Sequence, residues 1–279
     1  MGWFERLFSF WRTGPTAKTT DLPQSMDVIR RMKEAALPCV LFESGHKSLT
    51  KLGGWPDLPD NLEWPYWKGR PLAFLAQIDL AQAKGAGAPE WLPGDGMLFF
   101  FYDADQSTWG FDPADRGSWA VLHGPFNPQA VARPQSIEPF SEVGFRLRNG
   151  VSLPSPERLG MDYMSLSEEE WEAVEKAQAE FSPAHQLGGH PHSIQNDSME
   201  LECQLASNGI YIGTPEGYHA PAAKALESGA VDWHLLLQLD SDDDADMMWG
   251  DYGRLYFWIK RQDAEQRDFT KAWMILQCT

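Results

Sequence analysis

The sequence is short of three things, and each shortage excludes a class of protein. Its 279 residues include only 3 cysteines, Cys39, Cys203 and Cys278, an odd number at wide spacings. No C-x-x-C pair occurs, so zinc-finger and dithiol redox chemistry are not indicated; reduced, buried thiols are the expectation. No run of 18 apolar residues exists, which excludes a membrane-spanning helix of the usual length. Positive charge is scarce: 23 Lys and Arg stand against 40 Asp and Glu, a formal net charge of −17. Such a surface repels a phosphate backbone, and no local basic run offsets it, since Arg30, Arg31 and Lys33 are flanked by Asp27 and Glu34. Nucleic acid is therefore not expected as a partner. A basic protein, a cation or plain solubility fits the charge.

Signatures of catalysis are missing too. There is no Gly-x-Ser-x-Gly elbow, no Cys beside a His, no Gly-x-Gly-x-x-Gly and no phosphate loop. The chain reads as leaning away from an enzyme. Residues 1–12 lack the basic start, apolar run and small-residue cleavage site of a signal peptide, and a cytoplasmic location is expected.

What is abundant is aromatic: 13 Trp, 15 Phe and 7 Tyr. Each buried ring removes about 150–250 Å² from water, so a few of them can dominate a core. Trp3, Phe4, Leu7, Phe8 and Trp11 form one helical stripe that could touch a membrane surface, dock a partner or fold back on the core. Residues 13–24 read as a linker. Ser25 can cap a helix with Met26, Ile29 and Met32 on its apolar face, ended by Pro38. Strands are expected at 39–42, 71–80, 97–102, 119–123, 143–148 (an edge or hairpin strand), 233–240, 254–260 and 273–278, with loop over 45–69. Ser167-Glu-Glu-Glu170 is a capping box opening a helix that ends by Ser182-Pro183. Further helices follow Ser198 and cover 221–227.

The most informative feature is self-similarity. Lys51-Leu-Gly-Gly-Trp-Pro56 echoes Gln186-Leu-Gly-Gly-His-Pro191, and Leu75-Ala-Gln-Ile-Asp79 echoes Leu236-Leu-Gln-Leu-Asp240. The aromatic strand after Gly94-Asp-Gly96 echoes the one after Gly250-Asp-Tyr-Gly253, and Trp119-Ala-Val-Leu122 echoes Trp273-Met-Ile-Leu276. The expected fold is α+β, with internally duplicated β-rich halves and several flanking helices. The segment 1–24 precedes a single domain, 25–279, whose halves are about 25–150 and 151–279.

At these blocks the sequence resembles the YwqG-like family, a bacterial domain family of unknown function. The carrying residues are Lys51-Leu-Gly-Gly-x-Pro56, Leu72 to Leu80, His185 to Pro191 with Gln195, Leu235 to Asp242, Met248-Trp-Gly-Asp-x-Gly253 and Asp268-Phe269. The resemblance implies two similar β-rich halves and no established reaction. Some family members look like products of toxin-associated loci, which implies an immunity or antitoxin-like role.

Three functional readings stay open. The first is a non-catalytic protein-binding module whose acidic second-half loop faces a basic partner such as a cognate toxin. The second is a small-ligand binder or uncharacterised enzyme with a site between the halves. The third is a divalent-cation protein. Candidate binding residues are Gln77, Asp79, His185, His190, Gln195, Gln238, Asp240, Asp242, Trp249 and Asp251. Counted from Asp240, oxygen ligands fall at positions 1, 3, 5 and 12 of a calcium-type loop, so Asp240, Asp242, Asp244 and Asp251 are candidate Ca²⁺ ligands. Ala245 stands where the loop's sharp turn wants Gly, and Asp251 is shorter than the usual bidentate Glu.

Overall fold

The computed structural model describes residues 24–126, 133–181 and 184–279; the aromatic stripe of residues 1–12 and nearly all of the linker lie outside them. Along the chain come helix α1 (Gln24–Glu34), strands β1 (Leu37–Ser44), β2 (Lys51–Leu52), β3 (Tyr66–Trp67), β4 (Arg70–Pro71) and β5 (Ala73–Asp79), and helix α2 (Leu80–Gly85). Strands β6 (Met97–Tyr102), β7 (Trp119–Gly124) and β8 (Val143–Ser152) follow, then helix α3 (Glu168–Phe181) and strand β9 (Gln186–Leu187). Helices α4 (Met199–Ser207), α5 (Pro215–His219) and α6 (Pro221–Leu226) precede β10 (Trp233–Asp240) and β11 (Arg254–Lys260), and helix α7 (Arg261–Glu265) and strand β12 (Trp273–Gln277) end the chain. Among the described residues no helix is long and apolar enough to cross a membrane.

Ten strands form one antiparallel sheet in the order β12-β11-β10-β9-β1-β8-β2-β5-β6-β7, and β3 and β4 make a separate hairpin. The end strands return toward each other: the rings of Trp119 on β7 and Trp273 on β12 meet edge to face at 4.9 Å. Their indoles cross over, Trp119 donating to the Ala272 carbonyl (3.0 Å) and Trp273 to the Gly110 carbonyl (2.8 Å). Phe100 and Phe257 meet likewise at 5.1 Å. The curled sheet encloses a core drawn from both ends of the chain.

Strand β6 explains the aromatic load. Alternation sends Leu98, Phe100 and Tyr102 into the central core, and Met97, Phe99 and Phe101 into a second cluster with Leu58, Trp64, Leu72 and Phe74. A strand apolar on both faces must be covered on both faces. A third cluster joins α1 (Val28, Met32) to α3 (Val174, Ala177).

Corresponding blocks of the sequence have corresponding geometry. Strands β5 and β10 each carry a register irregularity, at 74/76 and 235/237. The Gly53 N–H donates to the Leu75 carbonyl (2.8 Å), and the Gly188 N–H to the Leu236 carbonyl (3.3 Å). Gly53-Gly54 and Gly188-Gly189 all have positive φ; a Cβ on Gly53 would lie 2.1 Å from the Ser141 carbonyl oxygen, and one on Gly189 2.3 Å from Ser152 Oγ.

The expected elements are mostly present, with four differences. β8 is not an edge or hairpin strand but a central one, between β1 and β2. Its alternation arises because Phe145 is buried while Arg146 and Arg148 stay exposed, and one open sheet face gives the same pattern as an edge. Helix α2 begins where a strand tail was expected, because the Asp79 carboxylate caps it by accepting from the Ala81 and Gln82 N–H groups. Helices α5 and α7 and the short strands β2, β3 and β9 fall in segments read as loop or left unassigned. Ser25 lies inside α1 rather than before it. The α3 capping box forms as read, with Ser167 N–H donating to Glu170 (2.8 Å) and Glu170 N–H to Ser167 Oγ (3.3 Å). All three cysteines are free and buried.

Candidate functional site

Most residues singled out by sequence hold the chain together. Gln77 is fully buried; its amide donates to the Leu49 carbonyl (2.8 Å) and Asp57 (2.7 Å), and its oxygen accepts from the Asp57 N–H (2.9 Å). Gln238, equally buried, accepts from the His192 N–H (2.8 Å) and donates to the Ala184 carbonyl (3.5 Å). Each glutamine thus ties down the loop that carries its half's Gly-Gly pair. The Gln195 amide donates to the Cys278 carbonyl at 2.7 Å. Asp79 caps α2. Trp249 is buried against Tyr102 and Phe140, and its indole donates to the Asp240 carbonyl at 3.1 Å.

Sequence and structure do bring His185, Asp240 and Asp242 together. His185 Nδ1 accepts the Asp240 N–H (3.1 Å), which leaves Nε2 to donate to Asp242 Oδ2 (2.9 Å). This bond holds the Asp242 carboxyl below its ordinary range. Asp240 forms an ion pair with Arg254 at 2.9 Å, although the Nε–H is not aimed at the oxygen. The rest of the acidic loop is anchored to the first half: Gln106 bridges the Met248 carbonyl (2.7 Å) and the Gly250 N–H (2.8 Å), and Ser141 bonds Asp246. Asp243, Asp244 and Asp251 are exposed. Among the described residues no group of three or more His, Cys, Asp or Glu stands where one ion could bridge them.

An apolar concavity lies elsewhere in the fold. A cavity of about 780 Å³ opens beside the starts of β1 and β10, lined by Leu37 and Pro38, by Trp233, His234 and Leu235, by Trp258 of β11, by Leu201 of α4, and by Pro89 and Trp91. That is the size of a pocket for a small organic molecule, and the walls are mostly apolar. Trp91 stacks on His234 with centroids 5.6 Å apart and planes 28° apart. Burial lowers the pKa of His234 and of His190, whose Nε2 donates to the Ala35 carbonyl at 2.9 Å. His190 is the candidate from the sequence that lines this cavity; Gln77, Gln238, His185 and Asp240 do not.

One wall is ionic. Arg158 grips Glu200 with two bonds (2.6 and 2.9 Å) and Asp197 with one (2.5 Å). Burial opposes the guanidinium charge, but Glu200 and Asp197 outweigh it and the pKa rises. With its partners in place this group is a closed structural unit.

Two residues of the lining each bury a polar atom that has no hydrogen-bond partner among the described residues: the indole N–H of Trp258, a residue 1% exposed, and Glu227 Oε1. A buried polar group without a partner costs about 1–3 kcal/mol, so such groups are uncommon unless something else meets them. Sequence reasoning missed Trp258, Glu227, Trp91 and Arg158. Their spacings carry no periodic signal, because four distant segments contribute them.

Residues 50–278 match the model of a family described as Domain of unknown function (DUF1963). No curated protein matches the chain. The match agrees with the motif resemblance at the level of a domain family of unknown function.

Proposed function

The chain belongs to the DUF1963 family, which carries no assigned activity, so we propose its function from the cavity: it is a binding protein for a small, mostly apolar molecule. The carrying observation is the mostly apolar hollow of about 780 Å³. Its apolar walls supply the affinity. The test is titration with N-phenyl-1-naphthylamine, an apolar fluorophore with one N–H. Saturable one-to-one binding is the expected result, and Ala230→Trp, which fills part of the cavity, should weaken it at least about tenfold, or 1.4 kcal/mol. No saturable binding, or equal binding by the variant, would overturn the reading.

A second reading, an immunity-like protein that docks a basic partner, is supported by the net charge of −17 and by the firm anchoring of the loop that exposes Asp243, Asp244 and Asp251. Opposed charge would make that encounter fast and salt-sensitive. We also infer that the halves are copies of one unit and that the chain is YwqG-like. Supporting this are the matched register irregularities, the matched Gly-Gly loops and the equivalent duties of Gln77 and Gln238.

A further inference from the structure

The outer face of the central strands carries a second hollow, about 500 Å³, between the segment after β1, the end of α2 and strand β8. It shares no lining residue with the apolar cavity. Lys47, Arg146 and Arg148 line it, with Ser48, Gln82 and Asn149. In a chain of net charge −17, this lining holds three cations and no carboxylate, and Glu43 beside it pairs with Arg146 at 2.7 Å. That pair is largely exposed on both sides, so it contributes little and does not commit Arg146.

Arg148 is the informative residue. Every other described arginine has a carboxylate, carbonyl or indole partner: Arg30, Arg70, Arg146, Arg158, Arg254, Arg261 and Arg267 pair with acids, Arg31 with the Leu159 carbonyl, and Arg116 and Arg133 with Trp rings. Arg148 makes no ion pair, hydrogen bond or ring contact among the described residues, although acids outnumber bases 40 to 23. Its five donors have no partner among the described residues.

The neutral lining is arranged to donate. Ser48 Oγ donates to Gln82 Oε1 at 3.2 Å, which fixes the amide with its Nε2 uncommitted. The Asn149 amide sits against Gly87, where a Cβ would come within 2.5 Å of Nδ2. The carbonyls at the end of α2 would disfavour an anion, but those of Gln82, Ala83 and Lys84 are taken by the Ala86, Gly87 and Ala88 N–H groups.

We propose that this hollow binds a small phosphate-bearing dianion. Planar guanidinium groups match phosphate oxygens two at a time, and Lys47 adds a point charge. Screening reconciles the site with the acidic protein: at physiological salt the Debye length is about 8 Å, so a small anion senses the local cations while a polyanion senses the whole surface.

The test is calorimetric titration with inorganic phosphate and with pyrophosphate at about 20 mM salt, where screening is weak. The expected result is saturable one-site binding that equal ionic strength of sodium chloride does not reproduce. Arg148→Gln should weaken it at least about tenfold, a loss of 1.4 kcal/mol, and Lys47→Gln should weaken it also. Arg267→Gln, which removes a surface arginine paired with Asp95 elsewhere, should leave it unchanged, and far-UV circular dichroism should show all three variants folded. No saturable heat, equal binding by Arg148→Gln, or equal heat from chloride would overturn the proposal. So would sedimentation with phosphatidylserine vesicles in the absence of phosphate binding, which would assign the surface to a membrane.

Discussion

Replacing Trp273 by Ala, alone and together with Trp119→Ala, probes the closure of the sheet. Trp273 is fully buried and Trp119 is 6% exposed. Truncating a buried Trp to Ala costs about 3–5 kcal/mol through lost transfer energy and the cavity left behind. Part of that cost here is the Gly110 carbonyl, which loses the indole N–H at 2.8 Å. The two rings also touch each other, with centroids 4.9 Å apart and planes at 71°. An edge-to-face pair contributes about 0.5–1.5 kcal/mol beyond area burial. The double variant should therefore fall short of the sum of the two single losses by about that amount. In a protein of this size 1 kcal/mol moves the melting temperature by roughly 2–4 °C, so each single variant should melt roughly 6–20 °C lower. Urea denaturation followed by far-UV circular dichroism reads the cycle without relying on 13 overlapping tryptophan signals. A single loss below about 1 kcal/mol, or strictly additive losses, would refute the packing of β7 against β12.

Two further substitutions have signs fixed by charge. Glu202 is 1% exposed, with one oxygen unpartnered and the other accepting from the Tyr218 hydroxyl at 3.2 Å; burial pushes its pKa from 4.5 up to about 7. Ionising it costs stability, so the penalty is absent below pH 4.5, grows toward pH 7 and is constant above. Glu202→Gln should raise stability at pH 8 by up to about 3 kcal/mol and flatten the profile between those values; an unchanged slope in pH-dependent urea titrations would contradict this. Asp242→Asn weakens the bond to His185 and the cap on the Ala245 N–H, at a cost of about 1–2 kcal/mol at pH 7. Because the Asp242 pKa is depressed, its contribution is present above the usual carboxylate range and lost as pH falls through the lowered value. A variant as stable as the parent at pH 7 by chemical denaturation would argue that the loop is not pinned there.

Local patterns made most of the fold legible. The capping box at Ser167, the aromatic alternation of β6 and the paired Gly-Gly blocks each act over a few residues, and each is where it was expected. β8 was misplaced because residue alternation reports an exposed face, not whether neighbours flank the strand. The site residues were less legible. Gln77 and Gln238 stood out by repetition, and their repeated duty is holding loop backbone. The apolar cavity and the basic hollow are both assembled from segments far apart in the chain. Lys47 and Arg148, with about a hundred positions between them, leave no basic run to find.

A ligand in the apolar cavity would sit against Trp258. The most direct measurement is the indole N–H region of a ¹H–¹⁵N spectrum during titration with N-phenyl-1-naphthylamine, with the Trp258 resonance assigned by its loss in Trp258→Phe. This resonance should shift and saturate at one equivalent, while those of Trp119 and Trp273, bonded to carbonyls elsewhere, stay in place. A Trp258 resonance that does not move as the fluorophore binds would contradict this placement.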